Sequence, residues 1–127
     1  MATNDVWLAL TPEETLEPGL PICDPHHHLW DGKNGRLTPR YLLDEILRDI
    51  TSGHNLVSTV FIECGSLYRR DGEDAMKFVG EVEFANGIAA MSASGLYGKP
   101  RIAAGLVGTA NLLGGAATGR VLADLSA

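Results

Sequence analysis

Three strand-like segments alternate with helix-like segments along this chain, and this order constrains its fold more than any other feature. Residues 56–64 are rich in β-branched side chains and contain neither Gly nor Pro, which predicts a buried strand. Shorter apolar segments at residues 22–28 and 101–107 predict one strand before it and one after it. Because strands that alternate with helices pair in parallel under helical layers, the sequence predicts an α/β fold.

The connecting segments carry helix signals. Thr38 and Pro39 mark a helix start, because Thr can cap free backbone N–H groups and Pro suits the first helical position. Gly53 predicts the end of that helix. A second helix is predicted over residues 73–93, with a bend or break at Gly87, and a further helix is predicted to begin at residue 119.

Composition bounds the organisation and the partners of the chain. The first twenty residues combine acidic side chains with Pro and Gly, which predicts a solvated arm over 1–20 before a structured part over 21–127. A net charge of −6 argues against nucleic acid as a partner. No apolar run approaches the ~20 residues that span a membrane, and no secretory signal is evident. Two cysteines make no disulfide framework, so we expect a cytoplasmic protein.

The first predicted strand holds the strongest functional signal, the sequence DPHHH at residues 24–28, which contains three of the four histidines. Strand alternation puts His26 and His28 on one face and His27 on the other. Two neutral imidazoles two residues apart can hold one divalent metal ion. Asp24 is expected to hydrogen-bond an imidazole and fix its tautomer. The alternative is that one histidine bonds in the core, that the others cap a loop, and that Asp24 caps the strand end.

Glu63 ends the second predicted strand and is the candidate catalytic carboxylate. Alternation groups it with the face that carries Val57, Thr59 and Phe61. The opposite face looks better suited to a helix layer, so we expect Glu63 to face the interior near the His pair. A buried carboxylate needs a partner, which a metal, a substrate group or an Arg would supply. The alternative is a salt bridge in a loop.

The loop after this strand carries Tyr68 and Arg69, which are candidate substrate-binding residues. Arg matches a carboxylate with two hydrogen bonds, so this loop could hold an anionic substrate group. The alternative is a solvated, charged loop.

Beyond these local patterns, residues 23–31 (CDPHHHLWD) resemble the first-strand motif of the amidohydrolase-related metal-dependent hydrolases, in the subgroup that includes lactone hydrolases. Residues 61–72 and 80–87 are also similar to that subgroup. The resemblance implies a (β/α)₈ TIM barrel, of which this chain would form about the first three β/α units. It also implies that His26 and His28 are the first two metal ligands.

Members of that family usually complete the site with a histidine and an aspartate from later strands. Here no histidine follows His54, and the only late aspartate is Asp124, in a predicted helix. A barrel of this kind needs ~250 residues, whereas the chain has 127. We therefore expect an N-terminal, truncated part of such a barrel that is inactive alone.

The resemblance implies a hydrolase that cleaves a lactone, ester or amide bond of a small carbonyl substrate with metal-activated water. Zinc is the expected ion, and a homo-oligomer is an option. Two alternatives stay open. One is a non-catalytic metal-binding half-barrel or interaction module, in which two copies pair their open edges. The other is a relative that opens lactones without a metal or that decarboxylates its substrate.

Overall fold

The computed structural model describes residues 5–33 and 39–127. Within these residues the strands are β1 (Pro21–His27), β2 (Asn55–Ile62) and β3 (Arg101–Val107). The α-helices are α1 (Asp5–Leu8), α2 (Leu43–Ile50), α3 (Val79–Ala93) and α4 (Thr118–Leu125), and two 3₁₀ segments span Asp74–Met76 and Leu112–Ala117. The strands form one sheet in the order β1-β2-β3, and both pairs are parallel.

The α/β class and the parallel pairing are confirmed, but the expected partial (β/α)₈ barrel is wrong. The described residues form a small α/β unit with an open, three-stranded sheet, in which β2 is central and β1 and β3 are the edges. A barrel requires a closed ring of paired strands with a matching tilt and stagger. Three strands leave two open edges instead.

The helices differ from their predicted bounds. The predicted start at Thr38 lies outside the described residues, and α2 begins at Leu43, where the Leu42 N–H donates to Glu45 Oε2 at 2.9 Å. The predicted break at Gly87 is wrong, because α3 continues through it. The interruption comes earlier, between the 3₁₀ turn Asp74–Met76 and Val79. Of the predicted arm, residues 5–20 contain the short helix α1, whereas 1–4 lie outside the described residues.

The main core lies between the sheet and the helices α2 and α3. Its buried members are Leu29, Leu43, Ile46, Ile50, Phe61, Ala85, Ile88, Ile102 and Ala103. Among the described residues, no helix is long and apolar enough to cross a membrane.

The face of β2 that meets the helices is the opposite of the predicted one. Phe61 is 0% exposed inside the helix-covered core, whereas Val60 and Ile62 are only half-buried. The pairing of β1 with β2 is irregular between Leu56 and Ser58, which interrupts the strict alternation. Leu56 therefore packs against the same core as Phe61, although five positions separate them.

Candidate metal centre

His26 and His28 come together at the C-terminal end of β1. Their Nε2 atoms lie 3.3 Å apart, and their rings are nearly perpendicular, with centroids 5.0 Å apart. Because zinc–imidazole bonds are about 2.0–2.1 Å long and tetrahedral angles are about 109°, two nitrogens on one ion lie about 3.3–3.4 Å apart. The separation of the two Nε2 atoms therefore fits two imidazoles that share one zinc ion.

A β-bulge in β1 shapes this approach. Asp24 pairs with Thr59 and His27 pairs with Phe61, so β1 has one more residue than β2 between these two pairs. Such a bulge redirects the side chains that it carries. Asp24 Oδ1 accepts a hydrogen bond from the His26 backbone N–H at 3.0 Å, so this carboxylate stabilises the bulge through the main chain. A hydrogen bond from an imidazole to Asp24 stays a prediction.

The tautomer of His28 follows from its neighbour on β2. His28 Nδ1 lies 2.8 Å from the carbonyl oxygen of Ile62. A carbonyl oxygen can only accept, so Nδ1 carries the proton and donates it. In the neutral ring, Nε2 then carries a lone pair, which can accept a hydrogen bond from His26 Nε2–H or bind a metal.

His27 has a different role, as the strand alternation predicts. It is 7% exposed, and its Nε2 lies 2.8 Å from Thr59 Oγ1 on β2. The same hydroxyl accepts the backbone N–H of Ala103 on β3 at 2.9 Å, so this network joins all three strands. Burial lowers the pKa of His27. Its Nδ1 is buried and has no hydrogen-bond partner among the described residues. His27 therefore belongs to the core rather than to the His26–His28 pair.

Glu63 follows the last residue of β2. Its backbone N–H donates to the Val107 carbonyl oxygen at 2.9 Å, and the residue is half-buried. The argument from strand faces that placed Glu63 beside the His pair is wrong, because the Phe61 face meets the helices. Glu63 is related to the His pair through its chain neighbour Ile62, whose carbonyl oxygen accepts the hydrogen bond from His28 Nδ1. Its catalytic role stays a prediction.

A second carboxylate, Glu81, was not predicted as a functional residue. It is 1% exposed in α3, and its Oε1 accepts the backbone N–H groups of Cys64 at 3.0 Å and Ser66 at 2.7 Å. The Cys64 thiol also lies 3.5 Å from Oε1. Glu81 therefore stabilises the turn that directly follows Glu63. The sequence does carry one indication that Glu81 is buried. It lies at helical spacing from three other buried residues, namely Ala85, Ile88 and Ser92.

The candidate substrate residues contact α3 and the segment before it. The exposed Tyr68 ring meets Phe78 edge-on, with centroids 5.2 Å apart. Arg69 donates to both carboxylate oxygens of Glu83, with Nε 3.0 Å from Oε2. This guanidinium lowers the pKa of Glu83. Arg69 also lines a surface depression with Arg120 and several acidic residues, and no described histidine lines it. Substrate binding by Tyr68 and Arg69 stays a prediction.

The donor count at the candidate metal centre is two. Across residues 5–33 and 39–127, no group of three or more His, Cys, Asp or Glu side chains is placed to hold a metal ion. His26 and His28 thus form a pair that further ligands would have to complete.

Comparisons with known proteins add no family. No family model matches this chain, and neither does any curated protein or any solved structure. The resemblance to the amidohydrolase-related hydrolases therefore stays a prediction that rests on the residues themselves.

Proposed function

We propose that His26 and His28 bind a divalent metal ion, zinc by preference, in a hydrolase that acts on a lactone, ester or amide. The observation that carries the proposal is the 3.3 Å approach of the two Nε2 atoms. The hydrogen bond from His28 Nδ1 to the Ile62 carbonyl supports it, because it leaves Nε2 unprotonated.

Each residue of the pair has a distinct part in this proposal. His28 is held in one orientation by β2, whereas His26 is exposed and is oriented through its backbone by Asp24. When bound, a divalent ion lowers the pKa of a water ligand and polarises a substrate carbonyl. Glu63, beside Ile62, is the carboxylate that we assign to accept a proton at this end of the sheet.

The donor count also supports a second candidate, a non-catalytic metal-binding module. A catalytic zinc site uses three protein ligands and keeps an open position, whereas the described residues bring two together. The two candidates share the His pair and differ in whether a substrate can reach the ion.

Metal binding is tested first. The apo chain, produced without a polyhistidine tag, is titrated with zinc in a calorimeter. We expect binding that is lost in His26→Ala and in His28→Ala. His54→Ala is the matched control, because His54 is exposed and lies before β2, and it should bind zinc as the unchanged protein does. Equal zinc binding by a His26→Ala/His28→Ala double variant would overturn the proposal.

Substrate access is tested separately with Co²⁺ in place of zinc. Because the described residues bring only two metal ligands together, the readout is the visible absorption of the bound ion rather than turnover. We expect hydroxy acids, the products of lactone opening, to change that spectrum. No change with any lactone, ester, amide or product would reject the hydrolase and leave the non-catalytic module.

A further inference from the structure

We infer that one zinc ion joins two copies of this chain through His26 and His28 of each copy. This inference rests on the metal site proposed above and names a partner for it, a second copy. The four imidazoles would come from two identical pairs, each with its Nε2 atoms 3.3 Å apart.

The first reason is the coordination that zinc requires. Closed zinc sites in proteins are four-coordinate and tetrahedral. One described chain offers two convergent nitrogens and no third ligand close to them. A twofold axis through the ion supplies the same two nitrogens again, which completes the tetrahedron without any other protein.

The second reason is access. His26 is exposed, and so are Cys23 and Pro25 on the same strand. In the described sheet, β1 is an edge strand that pairs with β2 on one side. Another molecule can therefore approach the His pair from the side of β1 that faces away from β2.

The third reason is that β1 is a poor template for direct strand pairing at this point. Pro25 has no backbone N–H, and the His26 N–H is already bonded to Asp24 Oδ1. Two successive positions thus offer no donor to a second strand. Each chain also carries a net charge of −6, which opposes association. Association of the two copies should therefore depend on the cation.

The bridged dimer would close the proposed catalytic site. Four imidazoles leave no coordination position for water or substrate, so the dimer is the closed form of that site. Excess zinc gives each chain its own ion and should separate the copies again. The dimer population should therefore rise and then fall as zinc is added.

The experiment measures mass in solution during a zinc titration of the tag-free apo chain, by size-exclusion chromatography with light scattering. We expect a shift from 13.5 kDa toward twice that mass at one zinc per two chains, reversed by EDTA. His26→Ala and His28→Ala should stay monomeric at the same zinc concentration. His54→Ala, the matched control, should dimerise. Circular dichroism checks that the His26→Ala variant is folded, because replacing this exposed side chain removes little packing.

Each outcome separates this inference from the proposed function. Native mass spectrometry that finds one zinc in each dimer supports the bridge. A monomer with one zinc per chain overturns the bridge and leaves the proposed metal site intact. Absence of bound zinc overturns both. A dimer that persists in EDTA, or one that forms in His26→Ala, also overturns the bridge.

Discussion

His28 is anchored to the neighbouring strand, because its Nδ1 lies 2.8 Å from the Ile62 carbonyl oxygen. This hydrogen bond links the end of β1 to the end of β2 and assigns the ring proton to Nδ1. The Nε2 atom that faces His26 is therefore the unprotonated one. A backbone acceptor cannot be removed by a side-chain substitution, so the anchor depends on the pairing of the two strands.

The tautomer of His28 is directly measurable. We expect ¹⁵N NMR of the metal-free protein at neutral pH to show the proton on Nδ1 of His28, because its partner, the Ile62 carbonyl oxygen, can only accept. Zinc should then shift the Nε2 resonance and leave the Nδ1 proton in place. Observation of the Nε2–H tautomer for His28 would contradict the assignment.

Glu81 should be the most costly acidic residue of α3 to replace. Glu81→Ala leaves the part-buried N–H of Cys64 and the buried N–H of Ser66 without their acceptor, which should lower the free energy of unfolding by about 2–4 kcal/mol. Glu83→Ala is the control in the same helix. It removes an exposed ion pair with Arg69, which solvent screens, so the loss of stability should be small. Urea unfolding measures both, and equal losses would contradict the structural role of Glu81.

Two glycines of α3 should respond in opposite directions to the same substitution. In Gly80→Ala the new Cβ would lie 2.5 Å from the backbone N of Arg69, so the loop must move, at an expected loss of about 1–3 kcal/mol. At Gly87 nothing lies within 4 Å, and Gly87→Ala should stabilise the helix by up to about 1 kcal/mol. Thermal unfolding of the two variants compares them. A Gly80→Ala variant as stable as Gly87→Ala would show that the loop does not pack on α3.

Tyr41 should make stability depend on alkaline pH. Burial, together with the hydrogen bond that its hydroxyl donates to Asp49 at 2.7 Å, raises the pKa of Tyr41 above its usual value of about 10. The folded state then holds the proton more tightly than the unfolded state. This contribution to stability is complete below pH ~10 and is lost as pH rises toward the folded pKa.

The measurement is urea unfolding between neutral pH and pH ~11. Tyr41→Phe should lower the free energy of unfolding by about 1–2 kcal/mol at neutral pH, through the lost hydrogen bond to Asp49. Tyr41→Phe should also reduce the fall of the free energy of unfolding above pH ~10, because the variant has no phenol to ionise at this position. If the free energy of unfolding falls equally steeply in Tyr41→Phe, the alkaline loss of stability comes from titratable groups other than Tyr41.

Several features of the site follow from short-range sequence patterns. The separation of His27 from His26 and His28 follows from strand alternation, and the third strand has the predicted bounds, Arg101–Val107. The roles of Glu63, Tyr68 and Arg69 could not be judged in the same way, because each lies in a loop after β2. The conformation of that loop depends on Glu81 and Gly80, which are in a helix 14 or more residues away from Cys64 and Ser66.

The sequence by itself determined three parallel strands alternating with helices and a histidine pair on one face of the first strand. These properties depend on the alternation of side chains between the two faces of a strand and on the spacing of apolar residues, both of which are local. Only the tertiary structure decided that Phe61 faces the helices and that His28 is anchored by Ile62. These properties depend on strand register, which shifts at two points between β1 and β2 and at one point between β2 and β3. A register shift arises from contacts between distant segments, so no single segment of the sequence encodes it.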